Sequence, residues 1–491
     1  MVRFSSFRAL AVVGLLLALH LPFLMSDPDP VVSELSRGPW TDEGLNTIQV
    51  RNFVNHGYLS LSECDNLIKT PFFGFVLVPF YSLLGTDVWV GRAVVLGVVL
   101  LVVFLLLVYQ PTRTFAVAFA FLGLLQFHLF HYTHYSMAEM LGVVLILFGI
   151  FMMRLAYEKE QFSWYILAAS AFGLAFLSNV TFAYALFIPL IGRFFLFLSE
   201  RTRRRDTLRS FMADIGILIS VISFFAASFY FKWFLRYKDV FDVVKANQGN
   251  NRFDLSTAWE RTQFNWDNFI AIDGIAPFFV LLAIAMLAII RTSDRSRGDR
   301  AMLFSLLAWI VLEGHRFLLV NPPTRYLIPL FASVLALSAF GITQWKDSNT
   351  RRAIGVCIIV GFSFYNLSFY QESLARRTFV MDEIGNYLAA SNLKESTVLG
   401  VWATGLAAKT EARTLPVWND FMNYKDPVFT YKPRLVISEG NEAESNLAFI
   451  SQGINLEAIS DSVRHFDIWR YHVNIYWISP RACSISSTTA P

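Results

Sequence analysis

Residues 91–109 read GRAVVLGVVLLVVFLLLVY, a run in which Arg92 is the only charged side chain. A helix needs about 20 apolar residues to cross the hydrocarbon core of a bilayer, and this run has that length. Further runs of the same character occur along the chain. Together with 91–109 we place spans at 9–25, 114–130, 139–157, 162–178, 180–200, 211–231, 276–291, 301–320, 326–345 and 354–371. The sequence therefore predicts an α-helical polytopic membrane protein with about eleven transmembrane helices.

Composition supports a membrane protein. Of 491 residues, 55% are hydrophobic and only 16% are charged, with 48 Phe and 12 Trp. So few charges among so many aromatic residues exclude an ordinary soluble domain. A net charge of +4 is too small to indicate nucleic-acid binding. The three cysteines (Cys64, Cys357 and Cys483) have neither the number nor the spacing of a disulfide framework or a zinc site.

Basic residues predict how the chain is oriented. Arg3 and Arg8 precede the first apolar run, which we interpret as an uncleaved signal anchor. The predicted inner segment 193–209 holds six arginines, whereas the short outer loops 131–138 and 321–325 hold one. This asymmetry places the N-terminus in the cytoplasm and the C-terminus outside.

The same topology divides the chain into two domains. Residues 1–371 form a multi-spanning module with polar outer loops at 26–70 and 232–275. Residues 372–491 are predicted to form a small extracytoplasmic α/β domain, because strand-like runs begin at 397, 434 and 466 between helical and turn-rich stretches. Within the first module, the apolar segment 71–86 contains Pro79 and ends near Gly85, so we expect a short helix in or near the interface.

An acidic pair, Asp42-Glu43, follows the first span. Apolar and polar residues mixed over 45–57 suit a helix along the membrane surface, with Thr41 as N-cap and both acids in its first turn. There the helix dipole stabilises carboxylates. By itself the pair is more simply explained as a helix cap.

Further ionisable groups fall on the same predicted membrane face, at the ends of spans. They are Lys69 in Lys69-Thr70-Pro71, Arg92 after Gly91, Glu139 at the mouth of the fourth span, and Arg325 in Arg325-Tyr326-Leu327-Ile328-Pro329. Charges at such depths are costly and commonly mark a functional site. Simpler interpretations stay open, because arginines snorkel at span ends and acids favour helix N-termini.

The order of these motifs resembles the GT-C superfamily of integral membrane glycosyltransferases, above all protein O-mannosyltransferases and the enzymes that add aminoarabinose to lipid A. The resemblance rests on 42–43, 69–71, 91–92, Glu139 and 325–329, and it covers the first six spans best. A related stretch, Gly173 to Asn179, ends in asparagine where the family usually has lysine, so a lysine contact there is not expected.

The resemblance implies specific roles. Asp42 would be the base that removes the proton of an acceptor hydroxyl, with Glu43 orienting it, and Glu139 would orient the acceptor or the base. A second group, Lys69, Arg92, Arg325 and Tyr326, would bind the phosphate of the donor. Direct displacement by the acceptor would invert the anomeric centre, and no second nucleophilic carboxylate at a suitable spacing is evident.

The resemblance also implies the partners and the location. The donor would be a polyprenyl-phosphate sugar, the acceptor a glycan, lipid or protein hydroxyl, and the place a bacterial inner (plasma) membrane. No cofactor is required. A divalent metal, if one binds, would use Asp42 and Glu43, whereas His131 and His134 with Glu139 do not form a recognisable ligand pattern.

Two other classes of protein remain alternatives. A secondary transporter would be polytopic too, but repeated halves with helices broken at mid-membrane are not evident here. A non-catalytic anchoring or assembly protein would display the outer domain and would not depend on Asp42.

Overall fold

The computed structural model describes residues 2–32, 38–60, 63–109, 113–200, 204–239, 242, 255–270, 280–281, 295–318, 324–344, 349–440 and 443–484. The N-terminal part is helical. Its helices are α1 (Val2–His20), α2 (Gly38–His56), α3 (Asn66–Lys69), α4 (Pro71–Leu84), α5 (Val88–Val108), α6 (Arg113–Leu122), α7 (Phe127–His134), α8 (Ala138–Lys159), α9 (Phe162–Ser178), α10 (Ile188–Ser199), α11 (Arg204–Phe229), α12 (Leu255–Ile270), α13 (Arg297–Glu313), α14 (Ile328–Thr343) and α15 (Asn349–Ala375).

Eight helical segments in the described part are long and apolar enough to cross a membrane. They are Ser6–Phe23, Val88–Val108, Ala138–Lys159, Val180–Ser199, Leu208–Tyr237, Arg297–Leu318, Arg325–Thr343 and Arg352–Ala375. Each coincides with a predicted span, so the polytopic helical fold is confirmed. The count of eleven is not confirmed. The span predicted at 162–178 is an apolar helix of 17 residues, and the span predicted at 276–291 lies outside the described residues apart from 280–281.

The span predicted at 114–130 is not a single helix. α6 and α7 meet at an angle of 98°. The carbonyl of Phe119 accepts a hydrogen bond from the amide of Gly123, and the side chain of Gln126 then caps α7 by accepting from the amide of Leu129. Hydropathy cannot detect this break because the residues on both sides of it are apolar.

The C-terminal part contains a five-stranded mixed sheet. Its strands are β1 (Thr397–Leu399), β2 (Arg413–Leu415), β3 (Leu435–Glu439), β4 (Ser460–Ile468) and β5 (Tyr471–Ile478), in the order β2-β1-β3-β5-β4. β1 pairs in parallel with β2 and β3, and the hairpin β4–β5 joins β3 antiparallel. Four helices accompany it, α16 (Val380–Ala389), α17 (Ala403–Leu406), α18 (Pro427–Tyr431) and α19 (Ala443–Ile450). The predicted small α/β domain is confirmed.

Helix α2 does not begin or lie where the sequence predicted. It starts at Gly38, so Thr41 is not its N-cap and the two acids lie beyond its first turn. Most of its residues are buried. Trp40 packs into the core of the C-terminal sheet, where it stacks on Trp469 with ring centroids 6.2 Å apart. α2 therefore joins the C-terminal domain to the membrane helices. By contrast, α4 begins at Pro71 and ends at Leu84, with Gly85 as its C-cap, as expected.

Polar contacts also hold α2 against the C-terminal domain. The guanidinium of Arg51 donates to the carbonyl of Thr404. The amide of Asn52 donates to the carbonyl of Thr414 at 2.9 Å and accepts from its N–H at 3.3 Å. Since these groups are buried, their hydrogen bonds fix the register between the two parts.

At Gly44, helix α2 approaches the backbone of the C-terminal domain closely. A Cβ at this position would lie against the backbone of Thr404 and Gly405. We expect Gly44→Ala to lower the free energy of unfolding by about 1–3 kcal/mol, the usual cost of overpacking, measured by thermal unfolding in detergent. Gly14→Ala in α1, where a Cβ meets nothing within 4 Å, is the control and should not destabilise the protein. Equal unfolding temperatures for the two variants would contradict this account of the contact.

Candidate active site

A cavity of about 350 Å³ lies where the starts of α8 and α14 meet α2 and α3. Five of the seven residues predicted to form the site line it, namely Asp42, Lys69, Glu139, Arg325 and Tyr326. Asn46, one turn after Asp42, and Asn66 add amide groups to the same wall. Side chains from distant parts of the chain thus converge in one polar cavity.

Arg325 lies between two of the carboxylates that line the cavity, those of Asp42 and Glu139, and Asp242 is a third lining acid. Nη1 of Arg325 contacts Oδ2 of Asp42, and its Nε is 3.9 Å from Oε1 of Glu139. The guanidinium also lies over the ring of Tyr326, 5.1 Å from its centroid. The side chains of Asp42 and Arg325 are partly exposed, so both remain within reach of a ligand.

Glu139 is the most deeply buried acid of the cavity. Its Oε2 is shielded from solvent and has no hydrogen-bond partner among the residues that the structure describes. Leaving a buried carboxylate oxygen unsatisfied is costly, and such an atom in a cavity is an acceptor to which a ligand hydroxyl can donate.

Lys69 contributes a second cation. Its Nζ pairs with Oδ2 of the buried Asp65, one turn earlier in the chain. Burial by itself lowers the pKa of Lys69, but the Asp65 carboxylate outweighs that effect and holds the pKa above its usual value. The ammonium group therefore stays charged at neutral pH and can attract a phosphate.

Glu43 and Arg92 do not line the cavity. They form a buried ion pair in which Arg92 Nε donates to Glu43 Oε1 at 2.8 Å and Nη2 donates to Oε2 at 2.5 Å. Oε1 also accepts from the amide of Ser136 at 2.6 Å. Arg92 Nη1 donates to the carbonyl of Ser26 at 2.6 Å, beside those of Phe23 and Leu24. This pair joins α2 to α5 and to the turn before α8.

These positions bear on the predicted roles of the pair. Arg92 is not among the lining residues of the cavity, and its three guanidinium nitrogens already donate to Glu43 and to backbone carbonyls. Both oxygens of Glu43 are engaged, so this residue offers no free ligand atom to a metal beside Asp42. In the described ranges, no group of three or more His, Cys, Asp or Glu side chains is arranged to hold a metal ion.

The histidines that follow the third predicted span lie elsewhere. Nδ1 of His134 is 3.0 Å from Nδ1 of His20, and Nε2 of His131 is 3.2 Å from the hydroxyl of Ser373 and 3.8 Å from Asp29. Neither histidine lines the cavity, and neither approaches Glu139 in a ligand-like arrangement.

Sequence reasoning missed a buried cluster behind Tyr326. Glu313 accepts hydrogen bonds from Tyr184, Trp309 and Arg316, and the Arg316 guanidinium lies 6.0 Å from the centroid of the Tyr326 ring. Glu313 and Arg316 both lie within the second half of the predicted span 301–320. Charged residues inside a span are costly, and this feature of the sequence could have identified the cluster.

Asn179 is the position at which the family usually has lysine. Its side-chain oxygen accepts from the amide and the hydroxyl of Thr181, at 3.0 and 2.8 Å, and so caps the short helix Val180–Phe187. Asn179 and Thr181 both line the cavity. The wall that would carry a lysine in the family therefore offers neutral polar groups here.

Comparison with known proteins bears on the fold. Residues 68–230 match the family model described as dolichyl-phosphate-mannose-protein mannosyltransferase. The structure of ArnT from Cupriavidus metallidurans bound to undecaprenyl phosphate superposes with a TM-score of 0.57 and 13% identity, over 95% of this chain and 97% of that one. The chain has the GT-C fold. The resemblance inferred from its motifs is confirmed.

A second GT-C protein is similar in fold. The archaeal oligosaccharyltransferase AglB from Archaeoglobus fulgidus, in complex with an inhibitory peptide and a dolichol-phosphate, superposes with a TM-score of 0.51 and 13% identity, over 89% of this chain and 70% of that one. No curated protein sequence matches the chain. The fold of the chain is that of GT-C proteins, and its long apolar helices indicate an integral membrane protein.

Proposed function

We propose that this GT-C protein transfers a sugar from a polyprenyl-phosphate donor to a hydroxyl group of a glycan, lipid or protein acceptor. The observation that carries the proposal is the convergence of Asp42, Lys69, Glu139, Arg325 and Tyr326 in one cavity. A carboxylate base and two cations are what such a transfer needs, one to take a proton and the others to stabilise the departing phosphate. ArnT with undecaprenyl phosphate and AglB with dolichol-phosphate are consistent with a prenyl-phosphate ligand.

The donor phosphate would bind Lys69 and Arg325. Arg325 engages Asp42 in the structure, and while it does so the carboxylate is a poor base because its charged form is stabilised. A phosphate that draws the guanidinium toward itself weakens this pair and raises the basicity of Asp42. Donor binding would thus activate the base at the moment when it is needed.

The acceptor hydroxyl would lie between Asp42 and Glu139. The unsatisfied Oε2 of Glu139 would accept a hydrogen bond from the acceptor, while Asp42 takes the proton of the attacking hydroxyl. The new glycosidic bond forms as the bond from the anomeric carbon to phosphate oxygen breaks, and the prenyl phosphate leaves with the electron pair. This direct displacement inverts the anomeric centre.

We propose that this chemistry takes place on the extracytoplasmic face, and the charge asymmetry of the sequence supports this. The cavity lies at the starts of α8 and α14, the ends of those helices that the sequence predicts to be extracytoplasmic. The C-terminal domain packs on α2 at the same end. We propose an inner (plasma) membrane of a bacterium as the location, with acceptor and C-terminal domain outside.

The test is transfer from a panel of labelled polyprenyl-phosphate sugars by membranes containing the full chain, compared with membranes that lack it. We expect label to reach an extractable glycan, lipid or protein product with one donor. With that donor, Lys69→Gln should raise the donor KM about tenfold, the loss of one charge-assisted contact, with a smaller effect on kcat.

Two matched variants control this experiment. Lys69→Arg keeps the charge opposite Asp65 and should retain most of the affinity for the donor. Lys394→Gln removes an exposed lysine paired with Glu411 far from the cavity and should leave KM unchanged. Absence of transfer from every donor would refute the proposed function, and an unchanged KM for Lys69→Gln would remove Lys69 from the phosphate site.

A further inference from the structure

A second, larger cavity lies between the first and last spans of the described chain. Its volume is about 720 Å³, and residues of α1, α5, α6, α14 and α15 line it. The spans Ser6–Phe23 and Arg352–Ala375, which contribute α1 and α15, have only 22% and 17% of their residues buried, against 89% for Arg325–Thr343. Both are peripheral, so the space between them is a groove facing the bilayer.

This groove lies at the membrane end opposite the candidate active site. Arg8 and Arg352 are near the starts of α1 and α15, Arg113 is the first residue of α6, and Thr343 is the last of α14. α14 follows directly after the segment that carries Arg325. At 1.5 Å per residue, its course from the catalytic cavity to Thr343 spans roughly 25 Å, close to the thickness of the hydrocarbon core. The groove therefore faces the other leaflet, predicted to be cytoplasmic.

The groove combines cations with an apolar wall. Arg8, Arg113 and Arg352 line it, and none of the described lining residues is acidic. Along the wall toward the membrane interior lie Val12, Val117 and Ile359. Nε of Arg113 donates to the carbonyl of Leu107 at 3.2 Å, which fixes that arginine at the rim. Positive charge at the surface and an apolar channel below it match a molecule with an anionic head and a hydrocarbon tail.

We propose that this groove binds an anionic phospholipid, with the phosphate on the three arginines and one acyl chain along the apolar wall. A phospholipid is the occupant of choice because the groove opens sideways to the bilayer and the cytoplasmic leaflet is rich in anionic lipids. The lipid would fill the space between α1 and α15 and stabilise their packing. This site is separate from the proposed transfer reaction and does not depend on it.

The test is native mass spectrometry of the full chain in detergent, titrated with phosphatidylglycerol, phosphatidylcholine or glycerol phosphate. We expect one phosphatidylglycerol to bind more tightly than phosphatidylcholine, and glycerol phosphate not to bind. Arg352→Gln should weaken phosphatidylglycerol binding about fivefold, the effect of one basic residue near an anionic lipid. Val356→Trp, which fills the groove without changing its charge, should weaken the binding of both phospholipids.

A matched control separates this site from general attraction between the protein and anionic lipids. Arg209 is an exposed arginine at the same predicted membrane end but outside the groove, and Arg209→Gln should leave lipid binding unchanged. Equal binding of the two phospholipids, an equal loss in Arg209→Gln and Arg352→Gln, or full binding by Val356→Trp would each overturn the proposal. Binding of undecaprenyl phosphate with exclusion of phosphatidylglycerol would overturn it as well, because the groove would then serve the prenyl carrier.

Discussion

Asp42→Asn is expected to lower kcat for sugar transfer by at least a factor of about 10², with a donor KM that does not rise. The carboxylate removes the acceptor proton in the transition state, and the asparagine amide cannot do so. The amide is nearly the same size, so the cavity keeps its shape. The measurement is transfer of labelled sugar by purified protein at matched folded concentration, with the donor found in the panel experiment.

Asp461→Asn is the control for this substitution. Asp461 is an exposed acid in β4, and its replacement should leave both kcat and KM unchanged. Asp42→Glu keeps a carboxylate but displaces it by one methylene, so we expect it to recover part of the lost activity.

A purely structural role for Asp42 predicts a different outcome. Asp42 engages Arg325, and removing its charge frees that arginine for the donor phosphate. If holding Arg325 were the only function of Asp42, the donor KM would fall and kcat would change little. An unaffected kcat in Asp42→Asn would therefore assign the proton transfer to another group, of which Glu139 is the nearest candidate.

Much of the fold could be predicted from the sequence because hydropathy is a local property that can be read from consecutive residues. A transmembrane span can be recognised from sequence because exposing an apolar run of that length to water would be strongly unfavourable. The break between α6 and α7 escaped prediction because a 98° bend exchanges one set of apolar contacts for another. The burial of α2 escaped it too, because the partner that covers Trp40 lies more than 400 residues away in the chain.

The site shows the same division. Asp42, Lys69, Glu139, Arg325 and Tyr326 could be grouped from their positions at span ends on one face. The sequence could not predict that Asp42 lines the cavity while Glu43 does not, although it predicted that both lie on a helix. Consecutive residues on a helix point about 100° apart, so only one of two adjacent acids can face the cavity. Which one does so depends on Arg92 in α5, whose depth and partners are set by tertiary packing.

The ion pair between Glu43 and Arg92 gives the second large effect. Glu43→Gln leaves the buried Arg92 without its charged partner, and we expect a loss of about 3–5 kcal/mol in the free energy of unfolding. The carbonyls of Phe23, Leu24 and Ser26 still accept from Arg92 Nη1, but they carry no full charge to balance the guanidinium. The measurement is thermal or denaturant unfolding in detergent.

A double-mutant cycle separates this pair from catalysis. Replacing both residues by neutral ones, Glu43→Gln with Arg92→Met, removes the unpaired charge and should recover much of the stability lost in each single variant. Glu411→Gln, in an exposed pair with Lys394, should leave the unfolding temperature unchanged. If Glu43 acts only by fixing α2 against α5, folded Glu43→Gln protein keeps a kcat within a few-fold of the wild type. A kcat reduced about a hundredfold in folded protein would instead place Glu43 beside Asp42 in the reaction, as the resemblance first implied.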